Sequence, residues 1–194
     1  MNIEGNLALK EEPLEELIDG KLVMMAPPIS DHNAIVANLA GIFAHYLRGK
    51  KCRYYGDHEG VYLADGHRYI PDGMIICDRS KIKHTGVYGA PDLVIEVLSP
   101  STARNDRGRK KDLYEQSGVR EYWIVNPSDM SIEQYILQDG KFVLRDVYHK
   151  YASYELEEMT DEERAAIVTE FRCSLYDDLT IFVDDVFDNL LLSE

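Results

Sequence analysis

Residues 91–98, PDLVIEVL, place one carboxylate in the middle of an otherwise apolar segment. Side chains of an extended strand alternate between two faces. One face would carry Leu93, Ile95 and Val97, and the other Val94, Glu96 and Leu98. Apolar residues on both faces predict a strand that is covered on both sides, as in a sheet flanked by helices. Because an unpaired buried charge is strongly unfavourable, Glu96 requires a metal ion, a cationic side chain or a wet cleft.

A helix is predicted directly after this strand. It runs from about residue 106 to residue 117, and Gly118 is typical of the position that follows a helix C-terminus. The next apolar segment, residues 121–126, predicts another buried strand. A helix between two buried strands indicates a β-α-β crossover with parallel strands.

The spacing of apolar residues decides which lysine of this helix points inward. Leu113 and Tyr114 must face the core, and helical periodicity places Lys110 on the same face, one turn after Asp106. Lys111 falls on the solvent side. Lys110 is therefore the better candidate for a functional residue.

A second acid precedes another predicted strand, residues 69–77, YIPDGMIIC. Pro71 removes one donor of the strand ladder, so pairing should begin after it. Asp72 then lies at the head of the strand, where an acid can face a cleft. A turn acid next to Pro and Gly is the simpler alternative interpretation of Asp72.

An earlier helix is predicted over residues 31–48, with Ser30 as its N-cap. His32 lies on the apolar stripe of this helix, one turn before Val36. It either shields the end of the core face or lies at the rim of an active site.

These residues together could build an all-oxygen metal site for phosphodiester hydrolysis. Asp72 and Glu96 supply carboxylates, and the carbonyl of Val97 supplies a third oxygen, a set that suits Mg²⁺ or Mn²⁺. Lys110 could orient the water or stabilise the phosphate, and Asp106 could hold the ammonium or join the metal shell. The alternative is structural: Glu96 and Lys110 form an ion pair, and Asp106 is favoured by the helix dipole.

The formal net charge of −14 at pH 7 limits the partners of this chain. An acidic protein repels nucleic acid at long range, so DNA could approach only over a local basic patch or bound cations. Residues 104–111 carry five positive side chains against one acid, a local net charge of +4. The candidates for DNA contact are Arg104, Arg107, Arg109, Lys110 and Lys111, with Lys50, Lys51 and Arg53 as a second patch.

Cysteine usage and the N-terminal segment predict a cytoplasmic protein. Cys52, Cys77 and Cys173 are odd in number and far apart, which favours free thiols over a disulfide. The first residues are acidic and polar, unlike a signal peptide, and no apolar run is long enough for a membrane span.

Several motifs in order resemble the Uma-type putative restriction endonuclease family, over about residues 14–190. They are ELIDGKLVMMAPP, YIPDGMII, PDLVIEVLSPST, D-x-x-x-K-x-x-x-Y at 106–114, GVREYWIV and FRCSLYDDLTIFVDDVFDNL. The resemblance implies an α/β PD-(D/E)XK nuclease-like fold: one domain over residues 1–194, with a central mixed sheet flanked by helices. An antiparallel hairpin over residues 132–147, turning at Asp139-Gly140, is expected as an addition to it.

The resemblance also implies roles for particular residues. Asp72 and Glu96 would be the metal carboxylates. Nucleases of this superfamily carry a lysine two residues after the second acid, where this chain has Leu98. The resemblance implies that Lys110, from the next helix, takes the place of that lysine. His32 and Glu16 would be accessory residues.

Two functions of different class follow. The first is a Mg²⁺- or Mn²⁺-dependent endonuclease acting on DNA, by analogy a homodimer that cuts two strands. The second is a catalytically silent nuclease-fold domain that binds a protein partner. The charge of −14 and the lack of a helix-turn-helix or zinc finger favour the second.

Overall fold

The computed structural model describes residues 15–18, 21–24, 28–56, 58–63 and 66–191. Its strands are β1 (Glu15–Ile18), β2 (Lys21–Met24), β3 (Arg53–Gly56), β4 (Val61–Tyr62), β5 (Arg68–Tyr69), β6 (Gly73–Ile76), β7 (Ile82–Lys83), β8 (Gly86–Tyr88), β9 (Leu93–Val97), β10 (Glu121–Asn126), β11 (Ser131–Gln138), β12 (Lys141–His149), β13 (Glu170–Arg172) and β14 (Thr180–Phe182). Its helices are α1 (Ser30–Tyr46), α2 (Ala103–Asn105), α3 (Lys111–Ser117), α4 (Ser153–Glu158), α5 (Asp161–Ala165) and α6 (Val183–Val186).

The strands form a mixed α+β architecture with two large sheets. The central sheet has the order β12-β11-β10-β9-β6-β3, and the side sheet has the order β2-β1-β5-β4-β8-β7. In the central sheet β9 and β10 are parallel, while β3, β6 and β9 pair antiparallel in turn. The predicted crossover is therefore confirmed, as is the predicted hairpin, which is β11 and β12.

The two faces of β9 are buried against different layers, as its alternating side chains predict. Leu93, Ile95 and Val97 belong to a core shared with α1 and α6. Val94 and Leu98 belong to a second core, which lies on the face toward the side sheet and α3. Every residue of β9 is buried, so Glu96 lies inside the protein.

The predicted strand over residues 69–77 is in fact divided between the two sheets. β5 pairs in the side sheet and β6 in the central sheet, and residues 70–72 cross between them. Pro71 cannot donate to either ladder, which suits this crossing. The prediction that Asp72 stands at the head of a strand is correct, because β6 begins at Gly73.

Residues 78–89 fold into a 3₁₀ turn, Arg79–Lys81, and the β7–β8 hairpin. Two predicted helix starts were wrong in detail. Ser30 is the first residue of α1 rather than its cap, and the capping position Ile29 makes no side-chain hydrogen bond. The helix after β9 begins at Ala103, and a π-helical turn, Asp106–Lys110, connects α2 to α3. Residues 103–117 are called the composite helix below.

The prediction of three free thiols was also wrong. Cys52 and Cys77 form a disulfide, and Cys173 alone is free and buried. The register pairs Arg53 with Ile76, so the two cysteines are the next opposed residues along β3 and β6. Because the two cysteines are 25 residues apart in sequence, local patterns do not predict that they are paired.

Within the described residues, no helix has the length and apolar character needed to cross a membrane.

The composite helix ends in a Schellman motif. Gly118 has a φ of +83°, the Gly118 N–H donates to the Glu115 carbonyl, and the Val119 N–H donates to the Tyr114 carbonyl, both at 3.0 Å. This conformation is unfavourable for any side chain with a Cβ. Tyr114 is thereby held at the end that faces the buried acid of β9.

Two glycine substitutions should therefore change stability in opposite directions. Gly118→Ala should lower the free energy of unfolding by about 1 kcal/mol, because alanine disfavours a positive φ. Gly41→Ala, on the exposed face of α1 where an added Cβ meets nothing within 4 Å, should raise it by about 0.5–1 kcal/mol. Urea unfolding followed by circular dichroism measures both. A stabilising Gly118→Ala would contradict the motif.

Candidate active site

Asp72 is the residue before β6 and lies close to Glu96 of β9. Gly73 pairs with Ile95, so the next position along the antiparallel register sets Asp72 opposite Glu96. The Asp72 carboxylate stands at the end of the sheet, where it meets the Val97 N–H and reaches His32 of α1. Both carboxylates are buried, with 7% and 3% of their residue surface exposed. The structure thus brings together two acids that lie 24 positions apart in sequence.

The ladder between β6 and β9 stops before Val97, because β6 begins at Gly73, which pairs with Ile95. The Oδ2 atom of Asp72 accepts a hydrogen bond of 2.7 Å from the Val97 N–H, in place of a strand carbonyl. The N–H and C=O of one strand residue point the same way. The Val97 carbonyl therefore faces the side on which Asp72 lies, as the predicted third oxygen ligand requires.

Lys110 extends inward from the composite helix, as its periodicity predicts, and is only 2% exposed. Its Nζ atom lies 3.3 Å from both carboxylate oxygens of Glu96, 2.9 Å from Glu16 Oε1 and 3.4 Å from Asp106 Oδ1. One ammonium is thus shared by three carboxylates from three parts of the chain. We call Glu16, Asp72, Glu96, Asp106 and Lys110 the buried charge cluster.

The electrostatics of this cluster favour a protonated Lys110 and disfavour the ionised forms of Glu96 and Asp106. Burial alone would lower the pKa of Lys110, but Glu96, Glu16 and Asp106 raise it above its ordinary value. Burial raises the pKa of Glu96 well above its usual range; Lys110 opposes this shift, while Asp106, Asp72 and Glu16 add to it. Burial is also the largest cause of the raised pKa of Asp106. The cluster therefore has more acid than its one lysine can neutralise.

The π-helical turn presents both Asp106 and Lys110 to the cluster. Single π-helical turns occur frequently at functional sites. Tyr122 of β10 donates a hydrogen bond of 3.0 Å to the backbone carbonyl of Asp106, which anchors this turn to the central sheet. The sequence predicts the inward face but gives no sign of the wider turn.

Two further contacts orient the acids. The Tyr114 hydroxyl donates a 2.8 Å hydrogen bond to Glu96 Oε1, and the Ile70 N–H donates to Glu16 Oε1 at 3.1 Å. Tyr114 was predicted only as a core residue, although its place four residues after Lys110 could have indicated this contact. Glu16 connects the side sheet to the crossing segment before Asp72.

His32 lies beside Asp72. Its Nε2 atom is 3.3 Å from Asp72 Oδ1, and the residue is 8% exposed. Asp31 beside it was not predicted as important, yet it is buried and accepts a hydrogen bond from the Leu191 N–H at 2.8 Å. The start of α1 thus holds both Asp72 and the last described residues of the chain.

The predicted DNA-contacting residues lie on the outer side of the composite helix, but not all are equally available. Arg104 and Arg109 are exposed. Arg107 lies 2.6 Å from Glu133 of β11, and the Lys111 ammonium lies 3.8 Å from the centre of the Tyr135 ring. In the second patch Lys50 pairs with Asp178 at 3.5 Å, while Lys51 and Arg53 are exposed.

The side chains that could hold a metal ion are few. Across the described ranges no three His, Cys, Asp or Glu side chains are grouped to hold one. The site instead offers two carboxylates, of Asp72 and Glu96, and one peptide carbonyl. These hard oxygen donors fit Mg²⁺, which usually takes one or two protein carboxylates and keeps several waters.

Removing the lysine should expose the excess of acid. We expect Lys110→Met to lower the free energy of unfolding by about 3–5 kcal/mol at neutral pH, because it leaves buried carboxylates without their cation. Lys111→Met, one residue along the same helix, should lower it by less than about 1 kcal/mol, since it loses only a contact with an aromatic ring.

The pH dependence of that loss has a defined sign. Above the ordinary Glu96 pKa of 4.5 and up to its raised folded value, the folded state binds more protons than the unfolded state, so stability falls as pH rises. Lys110 lowers the pKa of Glu96, so Lys110→Met should raise that pKa further. The loss of stability should therefore be larger at pH 8 than at pH 5. Urea unfolding at pH 5 and pH 8 tests this expectation, and an equal loss at both would contradict it.

Comparison with known proteins places the chain in one family. The family model described as Uma2, putative restriction endonuclease, matches residues 6–168. An uncharacterised protein of Synechocystis sp. is 30% identical, covering 67% of this chain and 70% of its own length. A second uncharacterised Synechocystis protein is 24% identical, covering 72% and 82%. The crystal structure of a putative DUF820 nuclease from Anabaena variabilis has a TM-score of 0.68 at 18% identity, covering 91% of this chain and 90% of that one. The fold is thus shared with that structure, and the chain belongs to the Uma2 family of putative restriction endonucleases.

Proposed function

We propose that this protein is a metal-dependent endonuclease that hydrolyses phosphodiester bonds in DNA. The observation that carries the proposal is the meeting of Asp72, Glu96 and Lys110 at the end of the ladder between β6 and β9. The family of the chain supports a nuclease. Each of these side chains comes from a separate element, so a purely local role does not account for their convergence.

The charge balance of the site supports a bound cation. Four carboxylates, those of Glu16, Asp72, Glu96 and Asp106, act on one another around a single lysine. Burial makes this excess of negative charge unfavourable, so a divalent cation would be attracted to it. When bound by Asp72, Glu96 and the Val97 carbonyl, Mg²⁺ or Mn²⁺ would neutralise charge on the phosphate and lower the pKa of a bound water.

The chain's own residues divide the remaining work. Because its neighbours raise the pKa of Lys110, this residue stays protonated and can donate hydrogen bonds but cannot accept a proton. We assign it the orientation of the attacking water or of the scissile phosphate. Glu16 and Asp106 hold the ammonium in place, and His32 holds the carboxylate of Asp72.

DNA would approach over the composite helix, where Arg104 and Arg109 are exposed. Phosphate contacts of this kind give affinity without sequence preference. A homodimer also remains a prediction. It could form along β12, the edge strand of the central sheet, where Val143 and Leu144 are 44% and 47% exposed.

A silent domain that binds a protein partner is the second candidate. It is favoured by the burial of the cluster, because a lysine that pairs with several carboxylates in the interior also describes a structural ion network. A cleavage assay separates the two candidates.

Cleavage of supercoiled plasmid DNA with Mg²⁺ or Mn²⁺ at low salt tests the proposal. We expect the wild type to nick and linearise the plasmid, and Asp72→Asn and Glu96→Gln each to lose at least about 100-fold in rate, since both remove charge that the transition state needs. Asp112→Asn, an exposed acid of the composite helix, should keep full activity.

Folding of each variant is checked by circular dichroism, and chelation by EDTA should abolish cleavage. A folded wild type that cuts neither DNA nor RNA would favour the silent domain. Equal activity in all three variants would assign the chemistry to other residues.

DNA affinity should depend on Arg104 more than on Arg107. Loss of one phosphate contact reduces the slope of log K against the logarithm of salt concentration by about one. We expect this for Arg104→Ala, and a smaller change for Arg107→Ala, whose charge Glu133 already neutralises. Fluorescence anisotropy of a labelled duplex in EDTA measures both slopes, and a larger effect of Arg107→Ala would contradict this interface.

A further inference from the structure

Tyr54 of β3 has a buried hydroxyl without a hydrogen-bond partner among the described residues. Leaving a buried polar group unpaired is unfavourable by about 1–3 kcal/mol. Natural proteins rarely retain such a group without a reason, and a ligand or water that completes it is one. The position of the ring shows where that ligand would lie.

The ring is fixed on the α1 face of the central sheet. It stacks on Phe43 of α1, with ring centres 5.4 Å apart and planes inclined by 11°. Tyr54 is paired with Ile75, yet its hydroxyl lies over Gly73, two residues closer to Asp72. The side chain therefore runs along the sheet toward the acidic end of β6.

Gly73 is what allows the hydroxyl to be there. A Cβ at position 73 would lie 2.5 Å from the Tyr54 hydroxyl oxygen, closer than real contacts permit. The absent side chain leaves space that the hydroxyl fills, one residue along the chain from Asp72. An unpartnered hydroxyl and a glycine that accommodates it are thus two independent features of one place.

The chemistry of the hydroxyl is set by the same neighbour. Burial, and then the carboxylate of Asp72, raise the pKa of Tyr54, so the group stays neutral and keeps its proton. Asp72 already accepts from the Val97 N–H through Oδ2 and lies against His32 through Oδ1. The O–H of Tyr54 is a donor that still lacks an acceptor.

We propose that Tyr54 is a positioning residue whose hydroxyl donates to a water of the hydration shell of the divalent cation held at Asp72. This inference rests on the proposed function and extends it to a residue outside the predicted site. A cation that keeps most of its waters needs protein groups to hold them in place. Such outer contacts typically change metal affinity by about 10–100-fold.

Tyr54→Phe provides the test, because it removes only the hydroxyl. Without a cation the variant should be as stable as the wild type or more stable, since it loses an unpaired buried group. Its affinity for Mn²⁺, measured by calorimetry and by the electron paramagnetic resonance signal of free Mn²⁺, should fall about 10-fold. The Mn²⁺ concentration that half-saturates plasmid cleavage should rise by the same factor.

Two further variants make the result specific. Tyr55→Phe alters the neighbouring tyrosine, which packs on the opposite face of the sheet, and should leave Mn²⁺ affinity unchanged. Gly73→Ala should weaken Mn²⁺ binding by displacing the hydroxyl, and should do so less in the Tyr54→Phe background.

The outcomes separate this inference from the proposed function. A Tyr54→Phe protein that binds Mn²⁺ as tightly as a cleaving wild type overturns the role of Tyr54 alone. A folded wild type that neither binds Mn²⁺ nor cleaves overturns both. Weaker Mn²⁺ binding in Tyr54→Phe with unchanged stability supports the role, which a merely structural tyrosine would not produce.

Discussion

The contact between Lys110 and its three carboxylates is the interaction on which this structure depends. Glu16 comes from the side sheet, Glu96 from the central sheet, and Asp106 from the composite helix that carries the lysine. One buried ammonium therefore joins the three layers that meet on this face. Loss of the ammonium would leave acids in a place where water cannot stabilise them, so the two sheets and the helix depend on one another through it.

Glu121 is a buried carboxylate outside the cluster, and the contrast with it shows what is unusual about Glu96. Glu121 is fully buried and accepts hydrogen bonds from Trp123, Gln134, Ser174 and Cys173, all of which are neutral donors. No cationic side chain among the described residues pairs with it in a salt bridge, and both of its oxygens accept hydrogen bonds. Glu96 instead shares a lysine with two other acids, and burial raises its pKa. Burying an acid whose charge is incompletely neutralised destabilises the fold, and such groups are typical of functional sites.

Local sequence patterns predict three residues that the structure brings together. The alternation of β9 isolated Glu96, the stripe of the composite helix selected Lys110, and Pro71 placed Asp72 at a strand head. Contacts between distant segments cannot be predicted from such local patterns. Nothing in the sequence pairs Cys52 with Cys77 or brings Tyr54 over Gly73, because both depend on the register of β3 against β6. Glu16 came only from family resemblance, since the pairing of β1 with β5 determines where it lies.

The location of the site follows from the way one segment is divided between two sheets. Residues 70–72 leave the side sheet after β5 and enter the central sheet at β6, so the ladder is interrupted beside Val97. That interruption leaves the Val97 N–H without a strand partner, and the Asp72 carboxylate accepts its hydrogen bond. A continuous strand would have offered a backbone carbonyl at this point instead of a carboxylate. The crossing therefore places a carboxylate at the end of the ladder beside Glu96, and Lys110 offsets part of the negative charge that collects there.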